Sequence, residues 1–232
     1  SCQADGLNHV GSVCQMNTGS ILAGRPSLGA WVAYGLGSDS QNLPGFVVLL
    51  DNDKEPPRGP RIWGTGFMPA SYQGTRFRGN GAPILHLAQP KSVNDPRQRG
   101  KLGFLARLNQ QHLAKRQHDD ELEARIAAYE LAYRMQTSVP ELTDISGETK
   151  QTFELYGEEA KKPGTYAFNC LLARRLAERG VRFIQLFHRG WDQHTELPKG
   201  IGKQCADTDR ASAGLIADLK QRGMLEDTLV VW

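Results

Sequence analysis

Residues 181–194 read Val-Arg-Phe-Ile-Gln-Leu-Phe-His-Arg-Gly-Trp-Asp-Gln-His, placing His188, Asp192 and His194 within seven positions. Imidazole and carboxylate are the usual ligands of a borderline divalent ion such as zinc. In extended chain, positions two apart point the same way, so Asp192 and His194 are the best metal-ligand candidates. An Asp plus His set leans toward zinc or manganese over calcium, which prefers all-oxygen sites; calcium and magnesium stay open. His188 reads as a partner behind the ligands, a substrate contact or a general acid. Arg189 is either an anion-binding group or a surface charge. Trp191 either packs under the loop or walls a pocket. An Asp-x-His triplet is common by chance, and a polar loop that merely meets solvent would read the same.

The elements around this segment give it a position. Val181–Phe187 is rich in β-formers and reads as a strand, so the loop after it lies where α/β proteins bind ligands. Tyr166–Arg179 reads as a helix with Phe168, Leu171, Leu172 and Leu176 on one face and Gly180 as its stop. Ala211–Arg222 reads as a second helix, and Thr228–Trp232 as a second, buried strand. Helix–strand–helix–strand order implies a parallel sheet with right-handed crossovers over residues 166–232. Phe46–Leu50 is a continuous apolar run of strand length, as in buried parallel strands. Residues 9–17 read as a short helix closed by Thr18-Gly19. Ser27–Tyr34 reads as another helix, with Ser27 able to cap it. Residues 51–92 are a Gly- and Pro-rich loop region with short extended pieces such as Ile84–Leu87. Such long loops are either substrate-facing or a solvated insertion. Residues 95–138 read as a helical hairpin, with Asp95 as cap and Pro96 in the first turn. From Pro140 to about Thr165 the chain reads as a linker.

Composition excludes several classes. At 39% hydrophobic and 23% charged residues, the chain has the balance of a globular domain able to bury a core. A net charge of +3 with interspersed signs gives no case for nucleic-acid binding. Lys161-Lys162 and Arg174-Arg175 read as solvated charges. No apolar run is long enough to span a bilayer. None of the four cysteines forms a C-x-x-C pair, which argues against a zinc knuckle. Cys170 reads as a buried small hydrophobe, and Cys2 and Cys14 are free to pair only in an oxidising compartment. His86, His112 and His118 fall outside the strand-end layer. The first residues lack the features of a signal peptide, and Glu226–Trp232 reads as a turn into a strand. The expectation is therefore an interior piece of a longer protein, truncated at both ends. Such a piece would expose sheet edges and be poorly stable.

Three separate blocks carry a family likeness. They are residues 175–194; Tyr133-Arg134-Met135-Gln136-Thr137-Ser138-Val139-Pro140-Glu141-Leu142; and Gly24-Arg25-Pro26-Ser27-Leu28-Gly29-Ala30-Trp31. Together they resemble the DUF1501 family over almost the whole chain. That family is regarded as part of the alkaline-phosphatase-like, sulfatase-like superfamily. The resemblance implies an α/β fold, a three-layer α/β/α sandwich with a mostly parallel sheet and the helical hairpin as an insertion. Residues 1–232 would form one incomplete domain. It also implies a metal-dependent hydrolase site for sulfate or phosphate esters at the strand ends. The substrate would be a small molecule or a polysaccharide ester, and the location exported or periplasmic.

In sulfatases the nucleophile opens a helix that closes on Thr-Gly, nine positions after it. Counting back from Thr18 ends on His9, where no Ser, Thr or Cys stands. His9 is then a ligand, a nucleophile or a proton donor, or an ordinary helix-start residue. Asn8 is a ligand or substrate contact, or simply the N-cap. Ser12 and Cys14 are weaker substitutes within the same helix. The departure at His9 leaves open a non-catalytic, metal-stabilised binding or scaffold member, and a phosphomutase-like transferase.

Overall fold

The computed structural model describes residues 3–85, 87–88, 95–115 and 120–232. Three parallel strands form one sheet: β1 (Phe46–Leu50) lies centrally between β2 (Thr75–Phe77) and β3 (Phe183–Phe187). All five residues of β1 are buried, as a strand covered on both faces must be. Its side chains alternate between two cores. Phe46, Val48 and Leu50 pack with Ala33, Ile62, Trp63, Phe183 and Phe187. Val47 and Leu49 pack with Phe77, Leu142, Phe168, Leu172 and Leu176.

The helices follow from the same bookkeeping. α1 (His9–Thr18) starts at Asn8, whose side chain accepts from the Gly11 N–H at 3.2 Å, and ends on left-handed Gly19. α2 (Leu28–Leu36) is capped by Ser27 and covers the first core. The hairpin is α3 (Asp95–Leu113) followed by α4 (Asp120–Thr143), tied by Arg99 Nε donating to Tyr133 Oη and Gln98 Nε2 to Gln136 Oε1. Among the described residues of α4, Met135, Val139 and Leu142 are buried in the second core, with Leu131 and Ala132 packed against it. α5 (Lys150–Tyr156) leads into α6 (Tyr166–Ala177), which closes the second face of the sheet, and α7 (Leu197–Gln221) packs along α5 and α6. Among the described residues this is a mixed α/β fold of seven α-helices and a parallel sheet, with helices on both faces.

α2 can lie on the sheet only because position 29 is glycine. A Cβ there would stand 2.5 Å from the Phe46 ring and 2.7 Å from the Phe183 ring. Those rings are locked edge-to-face at 5.1 Å and cannot both retreat. Gly29→Val is expected to cost about 1–3 kcal/mol through overpacking, read as an earlier urea midpoint. An unchanged midpoint would show that the contact is soft.

Several expectations need correction. Thr228–Trp232 is not a strand: Thr228 is extended, but the run joins no sheet among the described residues and Leu229 to Trp232 are exposed. A strand requires a partner edge for its backbone bonds, and here Trp232 lies against Tyr166 and Trp191 instead. The second helix of the α/β segment begins at Leu197 rather than Ala211, with Pro198 in its first turn. The region after Pro140 is not only linker. α4 runs through Pro140 to Thr143, since one proline in the last turn removes a single backbone bond. α5 then forms on a Thr149 cap. The short strand in the Gly/Pro-rich region is Thr75–Phe77, with Ile84 and Leu85 in turns; His86 lies outside the described residues. Lys161 and Lys162 are solvated and paired with Glu158 and Glu159. Arg174 and Arg175 are not solvated: Arg174 is buried among carboxylates, and Arg175 is bound to Glu148 and the Leu142 carbonyl.

Candidate functional site

The register of the sheet builds the site. Leu50 pairs with Phe187, so the next residues, Asp51 and His188, leave adjacent parallel strands at the same level. Asp51 Oδ2 meets His188 Nδ1 at 2.6 Å. On the other side, His188 Nε2 meets Gln204 Oε1 of α7 at 2.6 Å. The pair is well buried, with side-chain exposures of 6% for His188 and 12% for Asp51. With an acceptor at each ring nitrogen, the arrangement favours the doubly protonated imidazolium. The bond from Asp51 raises the His188 pKa above its ordinary 6.5, burial opposes this, and Gln204 reinforces it. His188 thus holds the start of its loop to β1 and α7, and neither ring nitrogen is free to reach a substrate.

The sign of the shift makes a prediction. A raised folded pKa stabilises the fold fully below the unfolded value near 6.5, and the contribution is lost as pH rises through the folded value. Unfolding free energy is therefore expected to fall on the alkaline side of pH 6.5 in the wild type, and less in Asp51→Asn. An NMR titration placing His188 at or below 6.5 in the folded chain would contradict the pairing.

The loop then turns at Gly190, whose φ is 109° and whose carbonyl accepts from Gln193 Nε2. Asp192 Oδ2 receives two imidazoles, His194 Nε2 at 3.0 Å and His9 Nε2 at 3.0 Å. The donor atoms of His9, Asp192 and His194 all lie within 4.8 Å of one another, and all three residues are exposed. His9 reaches this point because Asn8 caps α1 and sets His9 as its first residue. The positive end of α1 further favours a carboxylate there. The set fits a divalent ion: ligands about 2.1 Å from a tetrahedral centre stand roughly 3–3.5 Å apart. Two imidazoles and one carboxylate leave a coordination position open, as catalytic sites require.

Of the sequence candidates, His9, Asp192 and His194 are brought together, while His188 stands behind them as a strut. The Asn8 side chain serves the N-cap. Arg189 is exposed and donates from Nη1 to the Glu55 carbonyl at 3.1 Å. Ser12 Oγ is bound to the Gly6 carbonyl at 3.0 Å, and Cys14 is a buried free thiol, so neither presents a nucleophile. Trp191 walls a cleft with Trp232, Cys205, Asp209 and Ser212. His112 is exposed on α3, away from the sheet. Cys2 and His118 lie outside the described residues. Sequence reading missed Asp51 and Gln204. The signal for Asp51 was present: it is the first residue after a strand, the same logic that singled out His188.

A protein-family model described as "Protein of unknown function (DUF1501)" matches residues 1–232. No curated protein and no solved structure matches the chain. No helix among the described residues is long and apolar enough to cross a membrane.

Proposed function

The chain belongs to the DUF1501 family, and from that premise we propose a metal-dependent hydrolase of sulfate or phosphate esters with an alkaline-phosphatase-like arrangement. The observation that carries this reading is the convergence of His9, from the start of α1, with Asp192 and His194, from the loop after β3. Zinc or manganese suits two imidazoles and a carboxylate best. When bound, such an ion supplies positive charge against the transferring group and activates water for attack. The residues of the chain do the rest. Asp192 and His194 would hold the ion from the loop, and α1 would supply His9 from outside it. The Asp51–His188–Gln204 chain fixes the loop's origin, as second-layer bonds do in metal sites. Because the Ser12 hydroxyl is bound to the Gly6 carbonyl and the Cys14 thiol is buried, water rather than a side chain is the nucleophile in this proposal. An exported location accords with the family likeness.

The test is turnover of p-nitrophenyl phosphate and p-nitrophenyl sulfate by the zinc- or manganese-loaded protein, beside Asp192→Ala and His194→Ala. Both variants change exposed side chains and should remain folded by circular dichroism. We expect activity in the wild type and background rates in the variants. Equal turnover in Asp192→Ala would remove the site from the reaction. A loaded wild type with no turnover of either ester would favour the non-catalytic binding reading.

A further inference from the structure

A second cleft, of about 430 Å³, opens beside the His188 strut, and its lining includes Asp51, Lys54, His188, Arg189, Lys203 and Asp207. Its cations come from three separate elements: Lys54 from the loop after β1, Arg189 from the loop after β3, and Lys203 from α7. No carboxylate lies within ion-pair distance of any of the three among the described residues. Nearby cations behave differently, since Arg76 is held by Asp53 and Glu55. Arg189 spends one Nη on the Glu55 carbonyl, which fixes the guanidinium and leaves its other donors. Of the two acids in the lining, Asp51 is committed to His188. That leaves three cations facing one uncommitted carboxylate, Asp207. Like charges so gathered repel one another unless an anion joins them.

We infer that this cleft is an oxyanion subsite, in which Lys54, Arg189 and Lys203 take the sulfate or phosphate group of a ligand. The inference deepens the hydrolase proposal and rests on it for one point, that the anion belongs to an ester substrate. Binding of the anion itself does not depend on the metal. Arg189 and Gly190 of the cleft stand on the same loop as the proposed ligands Asp192 and His194, with Asp192 two residues after Gly190. Arg189 supplies the planar fork that suits a tetrahedral oxyanion, and the two lysines act as point charges. Asp207 opposes the anion and sets an upper limit on its affinity.

The experiment is calorimetric titration of the intact chain with inorganic phosphate and inorganic sulfate at fixed ionic strength, with chloride as the control ion. It is run on the wild type, Arg189→Gln, Lys203→Gln, Asp207→Asn and Asp192→Ala, each checked for an unchanged melt. The inference expects saturable phosphate or sulfate binding that chloride does not displace. Each lost cation should weaken it about tenfold, the scale of one charge-assisted hydrogen bond. Asp207→Asn should tighten it, and Asp192→Ala should leave it unchanged. Binding lost in Asp192→Ala but kept in the cation variants would overturn the subsite and place the anion on the metal. Absence of saturable binding, or equal displacement by chloride, would also overturn it. Anion binding that persists in a chain holding no metal and turning over no ester would overturn the hydrolase proposal and leave this subsite standing.

Discussion

Arg174→Met is expected to destabilise the chain by about 3–5 kcal/mol, the typical loss when one partner of a buried charge network is removed. Arg174 is only 3% exposed. It stands 2.7 Å from Glu148, 2.7 Å from Glu178 and 3.0 Å from Asp218, so it ties α6 to the segment before α5 and to α7. Tyr156 Oη donates to the same Asp218 at 3.0 Å, and burial beside that carboxylate pushes the phenol pKa far up. Burial also opposes ionisation of Glu148, yet bonds from Arg174 and Arg175 outweigh it and hold the carboxyl below its usual range. Methionine preserves bulk but leaves Glu148 with Arg175 alone, and Asp218 with Arg222 and the Tyr156 hydroxyl, each short of its most buried cation. Urea unfolding should show the loss, and adding Glu148→Gln and Asp218→Asn should recover part of it. A loss under about 1 kcal/mol would mean that water reaches the network, as at a surface pair.

Trp63→Ala should cost a similar amount, about 3–5 kcal/mol, because a large aromatic side chain leaves a cavity that its neighbours cannot fill. Trp63 is 2% exposed and packs at 5.7 Å on Phe187, the residue immediately before His188. Its core includes Val13 of α1, the helix that presents His9. The cavity therefore lies between the two elements that bring the ligands together. The variant should lose zinc affinity as well as stability, at temperatures where circular dichroism still shows it folded. Lost stability with unchanged zinc affinity would show that α1 is positioned by other contacts.

The parts of this structure legible in the sequence are those decided locally. Phe46–Leu50 is a continuous apolar run of strand length and Val181–Phe187 is rich in β-formers; strands form at Phe46–Leu50 and Phe183–Phe187, and both lead into the site. Ser27 and Asn8, both readable as caps, do cap their helices. Asp192 and His194 stand out by type and spacing, and His9 through the resemblance to the sulfatase nucleophile helix; the fold brings the three together. What was not legible depended on partners distant in sequence. Asp51 looked like the first residue of a Gly/Pro-rich loop until the Leu50–Phe187 register set it beside His188. Gln204 was hidden because the first turns of α7 contain Pro198, Gly200 and Gly202, which mask helical periodicity. Arg174 read as a solvated charge because helix periodicity does not reveal which carboxylates other elements bring to it. Thr228–Trp232 carries strong β-formers, but propensity selects an extended backbone and not a sheet partner.

The most direct test of the central claim is metal stoichiometry after equilibrium dialysis against zinc and, separately, manganese, for the wild type, Asp192→Ala, His194→Ala and His9→Ala. His9 is the decisive position, since nothing in the Asp192–His194 loop alone requires it. One ion per chain is expected in the wild type, with loss of that ion in all three variants. Full retention in His9→Ala, or no bound ion in the wild type, would contradict it.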